Sequence, residues 1–224
     1  MFIQPWDAAL EPAEWQAWVA GTDRFGVLAV NNLDPAQAPF VIPTHFTVAD
    51  GPGGGGSGEL LLHLARPNPV WPHLAAATEV RLAMVGDYAY VPTHWRARPD
   101  GVETDGVATS YYTAVQFRCR PTIVDDPAEK AALLAAQLAD LQPEGRYGEI
   151  AADQGPYARM LPGLRGVRLE VLGVDAKFKY DDHKPREHRE RVIDRLEQRG
   201  QGLDAGAARQ QRRRLDAVGE TRRE

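Results

Sequence analysis

The sequence predicts a mainly β protein, a barrel or sandwich carrying a few peripheral helices and a charged helical tail. Many short runs rich in β-branched and aromatic residues are bounded by Gly, Pro, Asn and Asp. Few helical patterns lie between them, so the strand–helix alternation of a parallel α/β sheet is missing. From Arg186 onward the chain turns strongly charged at helical spacing. At 224 residues it suits one sizeable core with appendages. It is 43% hydrophobic and 25% charged, with no apolar run near the roughly 18–20 residues that cross a bilayer. The opening MFIQPWDAAL lacks the pattern of a secretory signal, and a lone Cys119 cannot form an intrachain disulfide. A soluble protein of the reducing cytoplasm, without a membrane partner, is expected.

Trp15, Trp18 and Val19 fall at helical spacing between Glu11-Pro12 and Gly21, which predicts a short N-terminal helix with a glycine stop. Phe25–Val30 and Phe40–Val48 read as a hairpin joined by NNLDPAQAP, with Pro43 marking an edge or bulge. The segment GPGGGGSG (51–58) reads as a loose surface connection, since it lacks the Lys-Ser/Thr ending and following helix of a phosphate loop. A strand over Glu59–Leu64 is followed by a helix from Asn68 to about Ala77, with Asn68 as N-cap and Pro69 at the first helical position. Further strands are expected at Val80–Val85, Ala89–Val91, Ser110–Val124 and Val167–Val174, six or seven in all, with a polar loop at Gly101–Gly106. Asp126-Pro127-Ala128-Glu129 is a capping box opening an Ala/Leu-rich helix to about Leu141. The tail is helical, broken at Gly200-Gln201-Gly202, with a fraying end.

The formal charge of −5 is uneven: residues 1–182 carry −9 and residues 183–224 carry +4. An acidic body gives DNA binding no support, so any such contact would run through the tail or a local patch on an oligomer. Arg212-Arg213-Arg214 reads more naturally as a solvated face than as a DNA arm, and no helix-turn-helix is visible. The six histidines show no metal-ligand spacing. Cys119, though flanked by Arg118 and Arg120, reads as a buried small side chain. The junction His63-Leu64-Ala65-Arg66-Pro67-Asn68-Pro69 is the most informative stretch: a helix N-terminus beside an arginine fork suits a phosphate. A plain helix cap with a solvated Arg66 is the competing reading. Thr44 and His45 offer a hydroxyl and an imidazole to the same crevice.

The runs LHLARPNPVW (62–71), YAYVPTHW (88–95, read as strand), VATSYYTAV (107–115) and GVRLEVLGVDAKFKYDDHKPREHRERVI (166–193) resemble the PaiB-type FMN-binding negative transcriptional regulators. These belong with the FMN-binding split barrels, the group of pyridoxamine phosphate oxidase, and the resemblance covers about residues 1–196. His63, Asn68, Pro69 and Trp71 match the family pattern. Its Trp-Asn pair is replaced around Ser110-Tyr111, and a usual Lys-Leu-Ser-Gln-Asn is here Lys179-Tyr180-Asp181-Asp182-His183. The resemblance implies a split-barrel domain over 1–182, a helical extension over 183–224, and a homodimer with FMN in each intersubunit crevice. It makes Arg66 the phosphate ligand, with Thr44, His45, His63, Leu64, Ala65 and Asn68 as neighbouring cofactor contacts and Ser110, Tyr111, Lys177 and Lys179 as further ones. Lys177 and Lys179 flank Phe178, so strand alternation points both to one face. A flavin-linked negative regulator is the implied function. An FMN-dependent oxidoreductase using a reduced nicotinamide or small substrate stands beside it, and so does a barrel that has lost FMN for another anionic ligand. No catalytic group is identified.

Overall fold

The structure, a computed structural model, describes residues 1–49, 58–98 and 100–221. The expected loose connection at 51–58 lies outside these residues except for Gly58, as do the last three residues of the tail. In chain order the elements are α1 (Pro12–Ala20), β1 (Phe25–Val30), β2 (Phe40–His45), β3 (Thr47–Ala49), β4 (Glu59–Ala65), α2 (Trp71–Ala76), β5 (Val80–Val91), α3 (Thr93–Arg96), β6 (Thr109–Val124), α4 (Pro127–Leu141), α5 (Gly155–Met160), β7 (Leu164–Lys179), α6 (Arg186–Arg199) and α7 (Asp204–Thr221). The seven strands form one sheet in the order β2-β1-β5-β6-β7-β4-β3.

Local signals account for several boundaries. Gly21 closes α1 by donating its N–H to Ala17 O and Trp18 O. The β1–β2 hairpin pairs Phe25 with His45 through Val30 with Phe40, and its turn is built on Asx contacts from Asp34 N to Asn32 Oδ1 and from Ala36 N to Asp34 Oδ1. Asp126 caps α4, accepting from Ala128 N and Glu129 N at 2.9 Å each.

Five expectations about the elements are corrected. The run Phe40–Val48 is two strands broken at Phe46: β2 pairs with β1 and β3 with β4, at opposite ends of the sheet order. One fully buried residue thus joins the two sheet edges, which requires the sheet to curl as a split barrel does. The helix expected from Asn68 starts at Trp71, because Asn68 Oδ1 accepts from Val70 N and spends the stretch on a turn. Val80–Val85 and Ala89–Val91 are one strand, with the left-handed φ of 46° at Asp87 absorbing the irregularity, and that strand stops at Val91 where Thr93–Arg96 turns helical. β7 extends past Val174 to Lys179.

The chain divides into two compact units. The first comprises Met1–Gln16, Val85–Val115 and Ala176–Glu224; the second comprises Ala17–Met84 and Gln116–Asp175. In the second, Leu28, Phe46, Leu62, Leu82, Phe117 and Val167 are buried, with the Phe46 and Phe117 rings edge to face at 6.1 Å. Cys119 lies in this core, and burial, helped by the Glu79 charge, pushes its thiol up to about 12. In the first, Tyr111, Phe178, Tyr180, Val192 and Leu196 are buried.

Of Arg212, Arg213 and Arg214, the first two are exposed as expected of a solvated face, though each is paired, and only Arg214 departs from it. Arg212 pairs with Glu197 and Arg213 with Glu14. Arg214 is buried, with both Glu14 carboxylate oxygens at 2.6 and 2.8 Å and Asp182 Oδ2 at 2.5 Å. Among the described residues no helix is long and apolar enough to cross a membrane.

Candidate functional site

Strand β4 and helix α4 build the most ligand-like feature of the second unit. His63 projects from β4, exposed between buried Leu62 and Leu64, and its Nδ1 lies 2.7 Å from Gln137 Oε1 of α4. Gln137 is buried and donates its Nε2 to Leu61 O at 3.2 Å. A carbonyl only accepts, so this contact fixes the amide, and Oε1 must accept from His63 Nδ1–H. Neutral His63 therefore keeps its lone pair on Nε2. The ring lines a crevice of about 600 Å³ floored by Leu134, Leu138, Leu141, Met160 and Leu164. His45, whose ring packs at a tilt against Phe25 with centroids 4.8 Å apart, stands at the same crevice with the paired Arg24 and Asp140.

At the end of β4, Arg66 meets a carboxylate. Its Nε donates to Pro162 O at 2.7 Å and its terminal nitrogens to Asp125, the nearer at 2.5 Å. Arg165 donates to the same Asp125 at 2.9 Å, and Lys130 Nζ stands 3.8 Å from it. Hydrogen bonds from Arg66, then from Arg165, hold Asp125 at about 2. Three cations thus converge on one oxyanion, beside a cavity of about 350 Å³ walled by Ala158, Leu161 and Pro162. Residues 157–164 wall both cavities, with Tyr157, Met160 and Leu164 toward His63 and Ala158, Leu161 and Pro162 toward Arg66. The fork at Arg66 is taken up by Asp125 and Pro162 O, and no helix terminus stands beside it, since α2 begins five residues later and is only six residues long.

The other expected contacts of this unit are less open. Thr44 spends its hydroxyl on His45 O, and Leu64 is core. Exposed Ala65 uses its carbonyl on Trp71 Nε1 and Asn68 N. Half-buried Asn68 caps its own turn.

Ser110, Tyr111, Lys177 and Lys179 belong to the first unit. Ser110 is exposed on β6. Tyr111 is fully buried and donates to Asp181 Oδ2 at 3.1 Å, and burial pushes its phenol well up. Both lysines do face one way: the Tyr112 ring takes Lys177 Nζ at 5.6 Å and Lys179 Nζ at 5.7 Å from its centroid. Lys179 also donates to Thr109 Oγ1, and Lys177 to Phe2 O. Asp181 gathers Arg96 at 3.0 and 3.1 Å. Burial works to raise the Asp181 pKa, but His188, Arg96 and Tyr111 outweigh it and hold the carboxyl at about 2.

Gln137, Asp125, Arg165 and Lys130 were not singled out from the sequence. One signal existed: Lys130 and Gln137 sit on the same α4 face as Leu133 and Leu134, polar residues inside an apolar stripe.

The second unit meets the chemical demands of a phosphorylated flavin. Its larger crevice lies within the roughly 300–1,000 Å³ of small-ligand sites and offers an apolar floor with hydrogen-bonding groups at its edge. The smaller cavity brings the cations.

Residues 1–172 match the family described as "Putative FMN-binding domain". Among curated proteins none matches the chain. Similar solved structures include the flavocytochrome Anf3 from Azotobacter vinelandii, at TM-score 0.55 and 15% identity, covering 78% of this chain and 70% of that one. The FAD and heme binding protein from Mycobacterium smegmatis follows at 0.53 and 13%, covering 76% and 72%. The conserved hypothetical protein Rv2991 from Mycobacterium tuberculosis gives 0.53 and 16%, covering 83% and 94%. At these identities the likeness is one of fold.

Proposed function

Because the chain belongs to the FMN-binding domain family, we propose that it is a flavoprotein holding FMN in its second unit and using the bound flavin's state to set a regulatory output, as the PaiB-type regulators it resembles imply. The observation that carries the placement is the pair of adjoining cavities along residues 157–164, one apolar with His63 and His45, the other bearing the cations Arg66 and Lys130. The ring system belongs over the leucine floor; the phosphate belongs at Arg66 and Arg165, where Asp125 now supplies the oxyanion. FMN supplies an acceptor of hydride or single electrons. His63, its ring oriented by buried Gln137, would contact it, and the leucines would exclude water from its face. Titration with FMN, followed by quenching of flavin fluorescence, tests this directly. Saturable binding that Arg66→Gln weakens is expected, and no quenching at any concentration would sink the reading.

Arg212, Arg213 and Arg214 are poor carriers of a regulatory output, since their charges are met by Glu197, Glu14 and Asp182. Promoter fragments at low salt, where phosphate contacts are strongest, are the check on any DNA contact. A shift there that survives Arg212→Gln would point to another surface.

The oriented His63 ring, with Nδ1 fixed by Gln137 and Nε2 left for a ligand, favours a second reading, an FMN-dependent oxidoreductase with His63 as proton acceptor. Anaerobic bleaching of the flavin by NADH or NADPH is its signature, and a flavin that stays oxidised with both removes it.

A homodimer completes the reading. Val85, Tyr88 and Tyr90 of β5 are each more than half exposed, a cost in water that a second copy would relieve. Light scattering should give twice the chain mass; a monomer at micromolar concentration would contradict it.

A further inference from the structure

The first unit holds a cavity of about 620 Å³ whose lining contains none of the residues assigned above to the flavin. Its charged lining consists of Arg96, Arg98, Lys184, His188 and Arg191, with the carboxylates Asp105 and Glu187. Arg96 is already spent on Asp181 and on Val107 O. Arg98, Lys184 and Arg191 have no side-chain hydrogen bond or ion pair among the described residues, and neither Asp105 nor Glu187 reaches them. Elsewhere in this unit arginines find carboxylates, as Arg186 does with Glu190, Arg189 with Asp182 and Arg199 with Asp204. Three unmatched cations around one cavity repel one another, an unfavourable term that an anion would reverse.

Helix α6 strengthens the case. Glu187, His188 and Arg191 fall on one face of it, and its N-cap, Pro185, offers no side-chain cap. His188 N donates to Pro185 O, which leaves the N–H groups of Arg186 and Glu187 for another acceptor. His188 is 9% exposed and lines the cavity, with its Nε2 turned to Asp181 Oδ2 at 3.5 Å. Across from α6, Gly106 packs so closely on α3 that a Cβ there would lie 1.9 Å from Thr93 O, which fixes the backbone of the opposite wall. The volume exceeds what an inorganic ion needs and falls in the roughly 300–1,000 Å³ range of sites for organic ligands.

We propose that this cavity binds the phosphoryl end of an organic phosphate, with Lys184, Arg191 and Arg98 as its charge partners and the α6 N-terminus as backbone donor. The inference does not rest on the flavin reading. Asp105 and Glu187 oppose the anion, and because Arg98 and Lys184 are exposed, salt screens their attraction for it.

Calorimetry on the full chain at low salt, with pyrophosphate and ADP as probes, tests it. Both bind, and ADP binds more tightly through its organic body. Lys184→Gln with Arg191→Gln weakens both by about tenfold or more, the scale of a lost charge-assisted contact. Arg186→Gln, on the same helix but outside the lining, leaves both unchanged. Competition identifies the source of the phosphate. If FMN displaces ADP and the double variant also weakens FMN, the phosphoryl group is the flavin's own; if FMN-saturated protein still binds ADP, it belongs to another organic phosphate. No heat with either probe overturns the proposal, as does wild-type affinity in a double variant that melts like the parent.

Discussion

His63 and Asp181 show how single side chains acquire a fixed chemistry here. Gln137 acts as a relay: its donation to Leu61 O settles which of its atoms faces His63, and so which His63 nitrogen is left for a ligand. Replacing Gln137 by Leu strips partners from a buried carbonyl and an imidazole N–H, so urea unfolding should show a loss of about 1–3 kcal/mol at unchanged m-value. FMN affinity should fall as well, because the ring is no longer held in one tautomer. At Asp181 the folded pKa of about 2 lies below the ordinary 3.8. The stability this contributes is complete above the unfolded value and is lost as pH falls through the folded one, amounting to about 2 kcal/mol. Wild type and Asp181→Asn should therefore differ most above pH 4, with the gap closing between pH 4 and 2. A gap that stays constant down to pH 2 would show that the carboxylate's charge is not what matters.

The helices and strands divide according to how far away their causes lie. Asp126 reaches Ala128 N and Glu129 N two and three residues on, so the start of α4 was readable in four letters, and Asp126→Ala should cost about 1 kcal/mol in thermal unfolding. The same local reading misled at Asn68, where an Asx contact to Val70 N looks in sequence just like a helix cap. The break at Phe46 was not legible, because it depends on β2 and β3 finding partners at opposite ends of the sheet. Nor was the docking of α7: Arg214 is held by Glu14, two hundred residues earlier in the chain, and by Asp182. Three like-charged neighbours in sequence carry no mark of which one will be buried. Arg214→Ala leaves Glu14 and Asp182 without their shared cation and should destabilise the first unit by about 3–5 kcal/mol. Arg212→Ala, which removes only an exposed pair with Glu197, should cost under about 1 kcal/mol. Of the candidate site, the residues of β4 were legible because they form one contiguous run. Their partners lie far along the chain, Asp125 59 residues after Arg66 and Gln137 74 after His63, with Arg165 further still.

At the scale of the whole molecule, two compact units give the ligand readings different addresses. A ligand that binds only the native state stabilises it by mass action, about 2.7 kcal/mol at a hundredfold excess over its Kd, or roughly 5–10 °C for a chain of this size. That shift alone does not say where FMN sits, but amide hydrogen exchange does, because protection concentrates in the segments whose opening the ligand opposes. With FMN in the second unit, slowed exchange is expected in residues 60–66 of β4, 133–141 of α4 and 157–164. With an organic phosphate in the first unit, it is expected in residues 184–191 and 101–107. The two patterns share no residue, so one comparison of apo, FMN-loaded and ADP-loaded protein discriminates between them. FMN protection confined to 101–107 and 184–191 would move the flavin phosphate to the first unit and leave Arg66 and Arg165 a purely structural clasp on Asp125. Protection of both sets by FMN alone would mean that binding the flavin stiffens the chain across both units, and Arg66→Gln would then weaken both sets together.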